Sequence, residues 1–316
     1  MTESAVPPLV SILIPCYNAA PWLAATLESA LAQTHRNHEI IVVDDGSTDG
    51  SLATARQFEP RGVRVISQAN RGASAARNAG LRAARGDFIQ FLDADDLLAP
   101  DKIERQLAVL LLHPNHLASC RWGRFTTDPA AAEFLDDDLI RDFPPVDFLI
   151  LHTRDARMIH PAAWLIPRAI AERAGPWDER LSLNDDGEYF ARVILGAAGI
   201  VCVPHATTYY RSGLHDSLSR RRSRRAFESL ALSVESVSHR LRQVEDSPRV
   251  HRALADYWQR LEYELYPDAQ DLCRRAVAEA RALGGSTQPP TMGRRERLAA
   301  SILGWRLARR LKSLLE

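Results

Sequence analysis

The chain has 316 residues, 46% hydrophobic and 25% charged, and its 40 Lys and Arg equal its 40 Asp and Glu. That length and apolar content allow one large core or two smaller ones, and they exclude collagen, coiled coil and disorder. With no net charge there is no basis for nucleic acid as a partner, so local charge has to carry the argument.

Cys16, Cys120, Cys202 and Cys273 are widely spaced with no CxxC pair, which fits buried thiols in a reducing compartment. MTESAVPP lacks the basic flank of a signal peptide. The longest apolar runs fall short of the roughly 20 residues needed to span a bilayer, and the expectation is a cytoplasmic protein.

Leu9 to Ile14 reads as a short buried strand closed by Pro15, followed by helical spacing over Ala19 to Ala32. The unit then repeats. Glu39 to Val43 is a strand ending in DDGSTDG, Ser51 to Phe58 a helix, Val63 to Ser67 a strand and Ala73 to Ala84 a helix stopped near Gly86. Phe88 to Leu92 is a fourth strand running into DADD. Alternating β and α with continuously apolar strands predicts a parallel, Rossmann-like α/β sheet flanked by helices. Ligands of such sheets bind beyond the carboxyl ends of the strands, where PCYNA, DDGSTDG and DADD all fall.

A helix is expected from about Pro100 to Leu112, then a long loop rich in Asp, Pro and Ala from Thr126 to Val146. Further expectations are a strand at Ala162 to Ile166, a helix near Ala169, the turn GPWDERL, a helix through Asp186 to Leu195, and strands at Ile200 to Val203 and Thr207 to Arg211. Beyond Ser219 the chain is helix-prone, interrupted at Gly284, Gly285 and Pro289 to Pro290 before a last helix from Arg294 to Leu315.

Asp44 and Asp45 end one buried strand and Asp93, Asp95 and Asp96 another, so parallel strands bring these carboxylates to one edge. Carboxylates that close repel unless a cation or hydrogen-bond donors balance them. Oxygen-only ligation suits Mg²⁺ or Mn²⁺ shared with phosphate oxygens. Acids after strands are also ordinary turn formers and helix caps, and for Asp49 and Asp101 that plainer reading is preferred.

Four segments in order, VSILIPCYNAAPWL, IIVVDDGSTDGS, RGASAARNAGLRAARGDFIQFLDADD and GPWDERLSLNDDGEYFARV, resemble the signature of glycosyltransferase family 2. The resemblance covers about Val10 to Arg211. It implies a GT-A fold and an inverting, metal-dependent transferase acting on a nucleoside-diphosphate sugar. It also implies that Pro15, Tyr17 and Asp44 hold the nucleoside, that Asp93 and Asp95 form the DxD, and that Asp186 is the base. Asn18, Arg77 and Ala94 join the expected nucleotide-binding set. Asp185 stands where the family usually has Glu, which leaves open which acid of the pair does what.

Residue chemistry agrees. Tyr17 offers a ring for a base to stack on, and Asp44 can accept from a ring N–H, favouring uracil, thymine or guanine. Arg77 can meet phosphate or pair with a sheet-edge acid; Arg71 is similar. A divalent cation on Asp95, with Asp93 against the ribose or the metal, would stabilise charge building on the leaving diphosphate. Asp186 would take the acceptor proton, although Asp185 and Asp186 also stand where a helix N-cap is expected. Similar enzymes often have a mobile loop after the last strand, so Arg211 and His215 are candidates to reach the diphosphate, although His215 reads more plainly as a surface loop histidine.

Residues 1–215 are expected to form the catalytic domain, about 9–115 for the donor and 116–215 for the acceptor, and 216–316 a helical C-terminal region. The run Arg220 to Arg225 reads as a solvated helix start or a phosphate site. The last helix places Ala300, Leu303, Leu307, Leu311 and Leu314 on one stripe with Arg306, Arg309, Arg310 and Lys312 off it. Such a basic amphipathic helix either docks its stripe on the protein or makes a peripheral contact with the inner face of a membrane bearing a lipid-linked acceptor. A nucleotidyltransferase or a nicotinamide dehydrogenase would need a Gly-rich phosphate loop after the first strand, and PCYNAAPW has no glycine. An inactive nucleotide-sugar-binding protein would not need intact DADD and NDD segments. A processive synthase would add a QxxRW-type segment and membrane helices, neither of which is present. The expected partners are a nucleotide-sugar donor and a glycan or lipid-linked acceptor.

Overall fold

In the computed structural model, which describes residues 7–134, 138–155, 157, 159–213, 222–288 and 292–313, the chain divides into two compact units, 1–145 with 159–217, and 146–158 with 218–316.

The first unit is built on its apolar strands. β1 (Val10–Cys16) is buried at every residue but Pro15, and β2 (His38–Asp44) is buried from Ile40 onward. Strands this apolar need cover on both faces, which parallel crossovers through helices provide. α1 (Ala20–Leu31), α2 (Ser51–Gln57) and α3 (Ala73–Ala83) make those crossovers around β3 (Val63–Ser67) and β4 (Phe88–Phe91). The sheet runs β3-β2-β1-β4 in parallel, with β8 (Ile166–Pro167) antiparallel at the edge. Strand order reverses at β1, so the switch point where open α/β sheets bind ligands falls between the ends of β1 and β4.

A second sheet has the order β5-β9-β6-β7, from β5 (Leu97–Leu98), β6 (His116–Phe125), β7 (Glu133–Phe134) and β9 (Gly199–Arg211). α4 (Lys102–Leu112), α6 (Arg168–Ala174) and α7 (Asp185–Leu195) complete the unit. This mostly parallel sheet flanked by helices, followed by C-terminal helices, is the expected α/β class.

Several expected elements change. Ala162 to Ile166 is a short 3₁₀ turn at Pro161–Ala163 leading into two-residue β8, because Pro161 cannot donate to a ladder. The two strands expected after Ile200 are one, since β6 pairs along β9 with a register shift at Cys120/Arg121. The loop expected from Thr126 to Val146 contains β7 and leads into α5 (Pro145–Asp155).

The second unit contains α5 from Val146 onward with α8 (Arg224–Val244), α9 (Pro248–Leu265) and α10 (Gln270–Ala282). Ser223 and Ser247 cap α8 and α9, their hydroxyls accepting from Ala226 N and Val250 N. α9 buries Val250, Leu254, Trp258, Leu261 and Leu265 at helical spacing. The expected single last helix is two, α11 (Arg294–Leu303) and α12 (Trp305–Ser313), because Gly304 turns left-handed at φ 74°. α12 meets α9 through Trp305, near the Tyr263 and Tyr266 rings, and through buried Ala308 and Arg309. The leucine stripe does not make that contact: Leu303, Leu307 and Leu311 are exposed.

Candidate active site

Asp44 and Asp45 leave β2 side by side and do different things. Asp45 is saturated: its carboxylate accepts from Arg71 N at 3.0 Å, Gly72 N at 2.7 Å and Gln68 Nε2 at 2.7 Å. It braces the loop before α3 and has nothing left for a ligand. Asp44 Oδ2 receives only long contacts from Ser47 N, 3.4 Å, and Ser67 Oγ, 3.5 Å, while buried Oδ1 has no partner. Between the loops, Gly46 has φ 73°, and a Cβ there would meet Asn70 N at 2.8 Å, so only glycine fits.

Cys16 at the end of β1 lies in register with Asp44, and Pro15 with Val43. Tyr17, the next residue, is 46% exposed, its ring available for stacking. Asn18 is occupied structurally: at φ 50°, its Oδ1 accepts from Thr48 N at 2.8 Å and its N–H donates to Ser47 Oγ. It joins the two ligand-edge loops. Asp49 is a turn former, accepting from Ser51 N and Ala20 N. Asp101 occupies the N-cap position of α4.

β4 delivers Asp93, and α7 begins with Asp185 and Asp186. Arg77 of α3 bridges them, donating Nη2–H to Asp93 Oδ1 at 2.9 Å and Nη1–H to Asp185 Oδ2 at 2.7 Å. Ser74 Oγ also donates to Asp185, at 3.0 Å, and the guanidinium lies 4.5 Å from the Trp177 ring, itself stacked on Tyr189. Arg77 is buried, which opposes its charge, but Asp93 and Asp185 outweigh burial and hold it firmly protonated.

Asp95 makes no ion pair among the described residues. Burial, then the charges of Asp96 and Asp93, push its carboxyl up to about 8. Ala94 between them is buried, and its carbonyl accepts from Thr26 Oγ1. Asp96 is a buried support: it accepts from Arg211 N at 2.8 Å and contacts His160 Nδ1 at 3.0 Å, while His160 Nε2 lies 2.8 Å from Thr208 Oγ1. Burial holds His160 down to about 3, so it is neutral. Arg211 also donates to Asp95 O at 3.0 Å and Thr126 O at 2.8 Å, spending its guanidinium on the backbone of the loop.

Among the described residues no group of three or more His, Cys, Asp and Glu converges as a complete metal cage. Asp95, raised by burial and by the charges of Asp96 and Asp93, instead fits a hard cation that would complete its shell with phosphate oxygens and water.

The two acids of the Asn-Asp-Asp segment differ. Neither is the N-cap, a position held by Asn184 at φ 56°. Asp185 is engaged by Arg77 and Ser74, whereas Asp186 accepts from Gly187 N at 2.9 Å. Burial, then Asp185, push Asp186 up to about 6, against the pull of Arg77. His215 lies outside the described residues. Sequence reasoning missed His160, Thr208, Ser74 and Trp177 as supports; Ser74 and Trp177 lie inside the family-like segments, while nothing local marks His160 and Thr208.

The sequence model described as glycosyl transferase family 2 matches residues 11–172. An uncharacterized glycosyltransferase of Rickettsia typhi is 32% identical over 191 residues, 59% of this chain and 58% of that protein. One from Nostoc sp. is 45% identical over 182 residues, 54% of each chain. The chain spans little more than half the length of these curated relatives. Among solved structures, Staphylococcus aureus TarS 1–349 in complex with UDP-GlcNAc aligns with a TM-score of 0.64 at 17% identity, covering 88% of this chain and 93% of that one. The mannosyltransferase PcManGT from Pyrobaculum calidifontis, in complex with GDP-Man and Mn²⁺, aligns at 0.56 and 18%, covering 98% and 88%. At such identity these two likenesses speak for the GT-A fold, while the sequence match covers more than half the chain, and the chain belongs to glycosyltransferase family 2.

Proposed function

We propose that the chain transfers a sugar, with inversion, from a nucleoside-diphosphate donor, a UDP-sugar foremost, to a hydroxyl of a glycan or lipid-linked acceptor. The observation that carries this reading is the division of labour among the acids. Arg77 engages Asp93 and Asp185, while Asp95, without an ion pair among the described residues, and Asp186 both keep raised pKa values. Such paired perturbations at one sheet edge are characteristic of acid and base sites.

The unpartnered Oδ1 of Asp44 supports a ring N–H of uracil as its occupant, with Tyr17 stacking on the base. Asp95 and Asp93 would hold Mn²⁺ or Mg²⁺, which would supply Lewis-acid stabilisation of the leaving diphosphate. The acceptor oxygen bonds to the anomeric carbon as the carbon–oxygen bond to the diphosphate breaks. The hydroxyl proton passes to Asp186 and the bonding pair leaves with the nucleoside diphosphate. Asp185, engaged by Arg77 and Ser74, raises the proton affinity of Asp186 through its charge. Asn18 and Arg211 hold the loops rather than the nucleotide.

In this reading residues 9–115 carry the donor, 116–215 the acceptor side and 216–316 the helical extension of a cytoplasmic protein. No helix among the described residues is long and apolar enough to cross a membrane. The test is thermal unfolding with UDP-, GDP-, TDP-, ADP- and CDP-sugars, with and without Mn²⁺. A UDP-sugar should protect most and only with metal, since a ligand stabilises in proportion to its affinity. Best protection by an ADP- or CDP-sugar would overturn the base assignment, and no protection by any donor would overturn the function.

A further inference from the structure

Nine large hydrophobic side chains are exposed among the described residues, and five of them, Leu298, Ile302, Leu303, Leu307 and Leu311, fall on α11 and α12. Leu298 and Ile302 are exposed by 70% and 78%, far beyond ordinary half-burial. Scattered apolar residues on a surface need no explanation, whereas a concentration on two consecutive helices does.

Charge is concentrated there too. Arg294 to Lys312 contains seven Arg and Lys against a single Glu, in a chain whose total charge is zero. Part of that charge is spent inside the unit. Arg306 pairs with Glu262 at 2.6 Å, and Arg309 is buried over the Tyr263 ring at 4.8 Å. These contacts, with Trp305 and Ala308, fix one face of α12 on α9 and turn Leu307 and Leu311 outward. Arg297 and Arg310 are exposed beside the leucines, the Arg310 guanidinium also lying 5.5 Å from the Tyr266 ring.

We propose that α11 and α12 form a docking surface for an anionic phospholipid membrane. Protruding aliphatic side chains enter the boundary between headgroups and acyl chains, while the long arginine stems reach back to the phosphates. Each cation near an anionic leaflet adds to binding. A second copy of the chain fits less well: face-to-face symmetric pairing would set this cationic surface against itself. The docked face of α12 holds that helix in place without lipid, so its part of the surface is preformed.

The surface uses none of the residues assigned to donor binding, and its test needs no sugar transfer. The full chain should float with phosphatidylcholine vesicles containing phosphatidylglycerol and not with phosphatidylcholine alone, and should detach as salt rises. The variant Leu298→Ser/Ile302→Ser/Leu307→Ser should partition at least about tenfold more weakly with unchanged circular dichroism and melting temperature, as these side chains are exposed. Arg297→Gln/Arg310→Gln should weaken binding to the anionic vesicles. Equal flotation of parent and serine variant, equal binding to both vesicle types, or no flotation would overturn the proposal. So would a dimer in light scattering, without vesicles, that the serine variant dissolves. Nucleotide-sugar protection measured on the same samples should not change. Its absence in the parent would strike the donor assignment and leave the membrane surface standing.

Discussion

The two units of the chain differ in where their interconnected charges lie. In the first, charges are buried and share partners: Arg77 with Asp93 and Asp185, Arg192 with Glu188, Asp96 with His160, and Lys102 against Gln90 and the Trp164 carbonyl. In the second, Arg222–Asp268, Arg224–Asp271, Arg242–Asp246 and Arg249–Asp147 stand in solvent. Exposed pairs gain little because water screens them and long side chains lose freedom. Buried charges matter through the penalty of stranding one when its partner is removed. The first unit thus keeps a network of buried charges where the proposed chemistry sits, while the second keeps most of its ion pairs in solvent and buries a few charged groups such as Glu262 and Arg309.

The largest expected effect tests whether the buried charge is functional. Asp186→Asn should lower kcat by about 10²- to 10⁴-fold, the usual range for losing a general base, with donor protection intact. Because burial and Asp185 disfavour its ionised form, the same variant should gain stability at pH 7, by about 1–2 kcal/mol. A variant that lost both activity and stability would make Asp186 structural. Arg77→Met should cost about 3–5 kcal/mol in denaturant melts, since it leaves Asp93 and Asp185 uncompensated. A loss no greater than that of a surface change would erase the contrast between the units.

His160→Ala should cost about 1–3 kcal/mol by leaving buried Asp96 short of a partner. It should also weaken Mn²⁺-dependent protection by donor, as Asp96 and Arg211 hold the Asp95 loop. The pH dependence follows from Asp186. Its carboxyl, raised to about 6, is ionised and able to accept a proton above that pH. The rate should therefore fall as pH drops through about 6, approaching tenfold per unit, and Asp186→Asn should flatten that limb. Smallest of all, Arg224→Ala should leave the melting temperature unchanged although it breaks pairs to Glu228 and Asp271. A clear drop there would mean that the second unit depends on its ion pairs after all.

Much of the first sheet was legible in the sequence because strands covered on both faces are apolar from end to end: Leu9 to Ile14 and Glu39 to Val43 correspond to β1 and β2. β6 was not, since His116, Arg121, Gly123 and Arg124 break its apolar run and its pairing with β9, remote in sequence, is what makes it a strand. α5 escaped notice behind a Pro- and Asp-rich approach. Gly304 was overlooked inside an apolar stripe that runs on at helical spacing, so two helices read as one.

What the sequence determined by itself is which acids reach the ligand edge, because strand ends and the turns after them are local properties of the chain. Which of those acids remains available was decided only by tertiary structure. Asp45 is saturated by a loop 26 residues on, Asp185 by a serine and an arginine more than 100 residues away, and Asp96 by Arg211, 115 residues away. Asp44, Asp95 and Asp186 stand apart because no such partner arrives for the Oδ1 of the first, the charge of the second or the raised carboxyl of the third. Burial and hydrogen-bond partners set a carboxylate's proton affinity, and both are supplied by residues distant in sequence.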